Sequence, residues 1–275
     1  MQIEVVSARF RNGVHDYWFS PNGLDLKVGQ YVIVDTEKGK DIVRITKSVQ
    51  QVDEGQLEGA LKNVLKIADE KELKEGEENY KKAASYYDEI KAMVRAEKLE
   101  MKIINVECNY NFSRMTINFT SEDRVDFRDL VKKLAEKYKT RIELRQVGPR
   151  DATRLIGGLG ICGKVCCCKE GFGVNDHVSI KMAKNQGLSL NPNNISGLCG
   201  KLLCCLAFEN PYYVEVLKTM PKVNSRVSTP DGEGVAIYND LLKKTVSVKF
   251  ESDSSSEVKT YAVEDLKFKN PPANK

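Results

Sequence analysis

An α+β protein is predicted, with a central strand-strand-helix-strand unit, a long helix before it, a Cys-rich insert after it, and small β-rich parts at both ends. Three observations predict it. Short apolar runs broken by turn residues fill the first part of the chain, an apolar stripe at steps of three and four marks one long helix, and a cysteine motif occurs twice. The expected organisation is residues 1–60 as an N-terminal β-rich domain, 61–150 as the central α+β domain and 151–222 as a Cys-rich metal-binding region. Residues 223–268 are expected as a small C-terminal SH3-like β-barrel and 269–275 as a flexible tail.

In chain order, Ile3 to Phe10, Asp16 to Phe19, Tyr31 to Val34 and Ile42 to Thr46 read as strands, punctuated by Pro21-Asn22-Gly23 and Lys38-Gly39. Trp18, the sole tryptophan, reads as strand packing. After a short strand near Val64 to Ile67, Asp69 with Glu72 three residues on makes an N-terminal capping pattern. Tyr80, Ala83, Tyr87, Ile90 and Val94 then form the apolar stripe of the long helix. Lys102 to Glu107 and Met115 to Phe119 are the next strands, Asp126 with Asp129 opens a helix, and Arg141 to Leu144 returns as a strand. Pro149 to Ile156 reads as a helix, since proline suits a first turn and Gly157-Gly158 ends it. Asn191 to Asn194 is a turn and Pro211 to Met220 a short helix. Segments from Ser225 to Tyr261 read as the strands of the C-terminal part.

The most informative feature is a repeat. Gly160-Ile161-Cys162-Gly163-Lys164-Val165-Cys166-Cys167-Cys168 returns as Gly197-Leu198-Cys199-Gly200-Lys201-Leu202-Leu203-Cys204-Cys205, in a chain with 8 cysteines and only 2 histidines. No signal sequence opens the chain at Met1-Gln2-Ile3-Glu4, so a cytoplasmic location with reduced thiols is expected, which disfavours structural disulfides. Buried packing is the ordinary reading of an isolated thiol and is the one given to Cys108. Repetition points the matched thiols toward a sulfur-bound metal. Zinc usually shows C-x2-C knuckles or Cys/His mixtures, absent here in their usual form, whereas iron-sulfur clusters take cysteines at varied spacings. The expected ligands are Cys162, Cys167 and Cys168 with Cys199, Cys204 and Cys205, and the expected cofactor is a [4Fe-4S] cluster, with zinc as the alternative. Three thiols per module is one short of four, so either the modules pool ligands or another subunit completes each centre. Cys166 has no counterpart, since Leu203 stands there, and is read as a neighbour.

Other chemistry is weaker. Lys164 and Lys201 would favour thiolates, but no C-x-x-C and no nearby His/Asp constellation supports thiol catalysis; His15 and His177 stand alone. Gly158 to Gly163 formally reads G-x-G-x-x-G, with Asp176 near the spacing of a ribose-binding acid, yet no strand precedes it and no helix opens at its last glycine. The charge of +4, from 43 basic and 39 acidic residues, does not by itself establish nucleic-acid binding. The alternative functions are an RNA-binding module, using the terminal barrels and the Arg141, Arg145, Arg150, Arg154 series, or a zinc-stabilised scaffold protein. No apolar run approaches a membrane span, so no membrane insertion is expected.

The runs Val125 to Leu130, Arg141 to Gly148, Gly157 to Gly163, Ser179 to Lys184, Leu188 to Pro192 and Ile195 to Gly200 resemble the PSP-one C-terminal-domain family, in particular its YaaT/RicT-type members. The resemblance covers most of the chain and is strongest from Met101 to Glu209. It implies a non-catalytic regulatory subunit of a RicA-RicF-RicT-like complex. There, RicA-type and RicF-type helical subunits share [4Fe-4S] clusters and assist endoribonuclease Y in messenger-RNA maturation, affecting sporulation, competence and biofilm formation. Cys166 and Asp176-His177 depart from the family pattern.

Overall fold

The structure is a computed structural model that describes residues 2–37, 39–57, 59–171, 177–252 and 255–268, with the backbone alone at 251, 252, 255 and 256. The chain divides into two units, Met1–Gly171 and Phe172–Lys275, so the division falls inside the stretch read as one Cys-rich region. The tail 269–275 and Asp176 lie outside the described residues.

The first unit opens with β1 (Gln2–Phe10), β2 (Tyr17–Ser20), β3 (Tyr31–Thr36), β4 (Gly39–Asp53) and β5 (Lys62–Ile67), closed into a barrel in the order β1-β2-β5-β3-β4. Period-two alternation places Val6 and Ala8, Val32 and Val34, and Val43 and Ile45 inside, with Phe19, Leu26 and Val64. Asn22 and Gly23 both take positive φ, and the Leu24 N–H donates to the Pro21 carbonyl at 3.1 Å, the tight turn the sequence signals there. Two expectations are corrected. The strand expected over Ile42 to Thr46 runs from Gly39 to Asp53, pairing with β3 over its first part and with β1 from Val43 to Asp53. The barrel also extends past residue 60, because β5 pairs in parallel with β2 and antiparallel with β3.

The expected long helix is two consecutive helices, α1 (Glu70–Ser85) and α2 (Tyr87–Ala96), meeting at Tyr86. The Ser85 hydroxyl donates to the Lys82 carbonyl at 2.8 Å, and such side-chain bonds to the backbone bend helices. At the start, the Glu72 N–H donates to Asp69 Oδ1 at 2.8 Å and the Asp69 N–H to Glu72 Oε2 at 3.1 Å, a complete capping box. Asp69→Ala is expected to cost about 1 kcal/mol of stability, read from chemical denaturation of the full chain.

Next come β6 (Lys102–Cys108), β7 (Arg114–Thr120), α3 (Arg128–Tyr138) and β8 (Arg141–Gln146), with β6 antiparallel and β8 parallel to β7. Parallel pairing demands a crossover, and α3 supplies it. Met115, Ile117 and Phe119 of β7 face Ala83, Ile90, Val94, Leu130 and Leu134 of the helices in the main core. The opposite face is polar: buried Asn118 Nδ2 donates to Asn105 Oδ1 at 2.7 Å and to Glu107 Oε1 at 2.6 Å. The unit ends with α4 (Pro149–Ile156), started by Pro149 and ended at Gly157 with φ 85°, and the short α5 (Cys167–Glu170) packed against it.

The second unit contains α6 (Ile180–Asn185), α7 (Pro192–Ile195) and α8 (Cys204–Thr219), then β9 (Arg226–Thr229), β10 (Gly232–Asp240), β11 (Thr245–Ser252) and β12 (Ser255–Ala262). The helix expected from Pro211 begins at Cys204 instead, with Pro211 inside it. Burial of Leu206 with Ala183 and Ile195 holds those first turns, overriding the local preference of proline for a helix start. The Asn191 to Asn194 turn is one short helical turn, α7, capped by the Asn191 side chain. The expected C-terminal barrel is, among the described residues, an open antiparallel sheet in the order β12-β11-β10-β9. Val227, Ala236, Val246 and Val248 share a core there with Val216, Met220 and Leu266.

Candidate metal centre

Each cysteine module folds into the same knuckle. In the first, Leu159 and Val165 form an antiparallel bridge, the Gly160 N–H donates to the Lys164 carbonyl at 2.8 Å and the Gly163 N–H to the Gly160 carbonyl at 3.0 Å. In the second, Ser196 bridges Leu202, the Gly197 N–H donates to the Lys201 carbonyl at 2.8 Å and the Gly200 N–H to the Gly197 carbonyl at 2.9 Å. Gly163 and Gly200 take φ 76° and 73°, a conformation that excludes most side chains at little cost only for glycine. The chain then leaves each turn identically. The Cys166 N–H donates to the Gly158 carbonyl at 3.1 Å and the Leu203 N–H to the Ile195 carbonyl at 2.9 Å. These two residues, at φ −53°, ψ 129° and φ −58°, ψ 130°, open α5 and α8.

This backbone presents three thiols in matched places. Cys162 and Cys199 sit on the turns. An added Cβ at Gly160 would lie 3.5 Å from the Cys162 sulfur, and one at Gly197 would lie 3.8 Å from that of Cys199. Cys167 with Cys168, and Cys204 with Cys205, occupy the first two positions of the following helices. Exposure differs: Cys162 is exposed, Cys167, Cys199, Cys204 and Cys205 are half-buried, and Cys168 is only 4% exposed. Burial raises the Cys167 thiol above its ordinary value, and Cys162, Glu170 and Cys166 push the same way against a hydrogen bond from its own N–H. A metal binding there must therefore displace a proton.

Among the described residues, no cysteine pair forms a disulfide and no group of three Cys, His, Asp or Glu side chains is gathered around one point. The donor chemistry fits a thiolate-bound centre, since soft thiolates suit iron-sulfur clusters and zinc. The knuckles supply it as an open set rather than a closed cage.

Cys166 occupies the position of Leu203, whose side chain packs on the core of α6, α7 and α8, and Cys166 is itself buried. Cys166→Ala is accordingly expected to cost about 1 kcal/mol for the lost apolar contact, read from chemical denaturation of the full chain. Cys108 is half-buried against the main core and donates to the Asn79 carbonyl at 3.4 Å. Burial, with the Asp41 and Glu107 charges adding, pushes its thiol up to about 12, which makes it inert at neutral pH.

Arg141 and Arg145 are exposed on β8, while Arg150 and Arg154 are half-buried on α4, where Arg154 pairs with Asp151 at 3.0 Å. The G-x-G-x-x-G segment lies in the first knuckle, between α4 and α5, without the strand-to-helix turn that nucleotide binding requires. Sequence reasoning missed the exposed apolar tips of the knuckles, Ile161 and Leu198, at matched positions. It also missed the half-buried carboxylate Asp41, which no periodicity or motif marks.

No helix among the described residues is long and apolar enough to cross a membrane. No solved structure matches the chain. Residues 62–147 match the PSP1 C-terminal conserved region, which takes in β5 through β8, and residues 177–220 match the PSP1-like protein third domain, which takes in the second knuckle. Stage 0 sporulation protein YaaT of Bacillus subtilis is 38% identical over 245 residues, 89% of this chain and 89% of that protein. An uncharacterized protein of Schizosaccharomyces pombe is 26% identical over 48% of this chain and 22% of its own length. Protein PSP1 of Saccharomyces cerevisiae is 47% identical over 17% of this chain and 6% of its own length. With a matched region at its centre and a relative similar along nearly its whole length, this chain belongs to the PSP1 C-terminal conserved region family.

Proposed function

We propose that this chain is a non-catalytic, cytoplasmic regulatory subunit that contributes knuckle thiolates to a [4Fe-4S] centre shared with RicA-type and RicF-type helical subunits. In that assembly it assists endoribonuclease Y in messenger-RNA maturation and so acts on sporulation, competence and biofilm formation. The observation that carries the reading is the bond-for-bond repetition of the knuckle with thiols in the same three places. Two unrelated packing cysteines have no reason to share a turn, a left-handed glycine and a helix start. The similarity to a relative named for sporulation supports the physiological side.

The chain's own part is positional. The left-handed glycines shape the turns that carry Cys162 and Cys199, and the chain runs from each turn straight into a helix that begins with the paired thiols Cys167-Cys168 or Cys204-Cys205. When bound, the cluster would supply sulfur-bridged iron that is sensitive to oxidants and iron supply. Because each knuckle lacks a full ligand set, thiolates from partner subunits complete the centre, and binding free energy at the metal becomes assembly free energy. Anaerobic reconstitution of the chain with both helical subunits is expected to give a coloured complex that dissociates on chelation, and Cys162→Ser or Cys199→Ser is expected to abolish both colour and assembly. A colourless complex that assembles stably and ignores chelators would refute the proposal.

A further inference from the structure

The sheet of the second unit ends at β12, and the edge it leaves there is regular. β11 and β12 pair from Thr245 opposite Ala262 to Ser252 opposite Ser255 with no break in register. The Val263 N–H donates to the Lys244 carbonyl at 3.0 Å, which makes Thr245 and Ala262 a non-hydrogen-bonded pair. Alternation then turns the N–H and C=O groups of Ala262, Thr260, Val258 and Ser256 away from β11, toward an edge on which no strand lies among the described residues. Proteins commonly blunt such an edge with a proline, a bulge, a projecting lysine or a covering segment. β12 has no proline and no bulge. Its Lys259 shares the core-facing side with Tyr261 and is held by Asp231 at 3.1 Å and Glu257 at 3.6 Å. The opposite edge of the sheet is covered, since Ser228 of β9 exchanges two backbone bonds with Lys267 at 2.9 and 3.0 Å.

We propose that β12 pairs antiparallel with β12 of a second copy of this chain, about a two-fold axis through Val258, so that two sheets become one. A two-fold contact must be complementary to itself. β12 meets that condition: the axis sets Glu257 opposite Lys259 of the second copy and Lys259 opposite its Glu257, an alternating ring of four charges. Such directly opposed side chains have Cβ atoms about 4.5–5.5 Å apart, where opposite charges attract and like charges repel. The backbone agrees with the charges. Val258 and Thr260 are among the residues whose N–H and C=O groups face the edge, so Val258 can exchange two bonds with its own copy, and Thr260 two with Ser256. Axes through Glu257 or Lys259 would instead set like charges against each other. Val258, 53% exposed, comes to lie beside its copy, which removes apolar surface from water.

The test is light scattering of the full, metal-free chain over a concentration series. The mass is expected to rise with concentration from 30.9 kDa toward double that value. Glu257→Lys and Lys259→Glu are each expected to hold the mass at that of one chain. Mixed in equal amounts, the two variants are expected to associate with each other, because each supplies the charge the other lacks. Lys259→Glu also loses its bond to Asp231, so a second measurement uses the native chain alone. Amide protection at Val258 and Thr260 is expected to grow with protein concentration, while that of Lys259, already bonded to β11, stays constant. A single-chain mass at every concentration, a dimer indifferent to both substitutions, or protection at Val258 that appears only when a different protein is added would overturn the pairing.

Discussion

Phe119→Ala is expected to lower the unfolding free energy of the first unit by about 3–5 kcal/mol, the cost of removing a large aromatic side chain from a close-packed core. Phe119 is 2% exposed on the central strand β7, and its ring meets Phe127 edge-on with centroids 5.8 Å apart. It faces the helices that cover the sheet, and its carbonyl accepts from the Val147 N–H at 2.8 Å where the chain leaves β8. Few groups nearby can collapse into the space, because Met115, Ile117, Leu130 and Leu134 are already fully buried. Denaturant unfolding followed by circular dichroism measures the loss. A cost below about 1 kcal/mol would mean that the site relaxes as a surface position does.

The second large effect falls in the other unit. Gly234→Ala is expected to destabilise the C-terminal sheet by about 3 kcal/mol, at the upper end for overpacking. A Cβ at that position would lie 2.4 Å from Val248 Cγ1 and 2.9 Å from the Lys249 carbonyl oxygen, so the neighbouring strand must move. The backbone oxygen has no rotamer with which to yield, unlike the valine methyl. Since the core here holds few residues, Val227, Ala236, Val246 and Val248 among them, the displacement has little to absorb it. Thermal unfolding of the variant reads the effect, and an unchanged midpoint would show that β10 and β11 separate freely at this register.

Local signals carried the reading where they had a mechanism. Asp69 and Glu72 at capping-box spacing, Pro149 ahead of a double glycine, and the stripe through Ala83, Ile90 and Val94 each mark a local constraint, and each has its counterpart in the structure. Elements defined by distant pairing were illegible. The polar half of β4, from Lys47 to Asp53, shows no alternation of its own and is a strand because β1 lies beside it. Nothing near Lys62 announces that it will pair with Phe19 to close a barrel. Proline misled at α8, where burial of Leu206 outweighs a local preference.

The two knuckles were legible as a repeat, but the setting of their thiols was not. The doubled motif disclosed two equivalent thiol modules, because a repeated turn with a left-handed glycine is a backbone requirement written in sequence. Burial of Cys168 and exposure of Cys162 were not disclosed, since spacing says nothing about what packs alongside. Asp41 was hidden for the same reason: its donors Tyr80 and Tyr110 lie far away in the chain.

The most direct test of the proposed function is iron, acid-labile sulfide and zinc content of the chain reconstituted anaerobically with the proposed helical subunits, for the native chain and for each of Cys162, Cys167, Cys168, Cys199, Cys204 and Cys205 changed to serine. The account predicts iron and sulfide in equal amounts in the native complex, lost from the knuckle variants and kept in Cys166→Ala. Stoichiometric zinc, or an intact complex with neither metal, would contradict it.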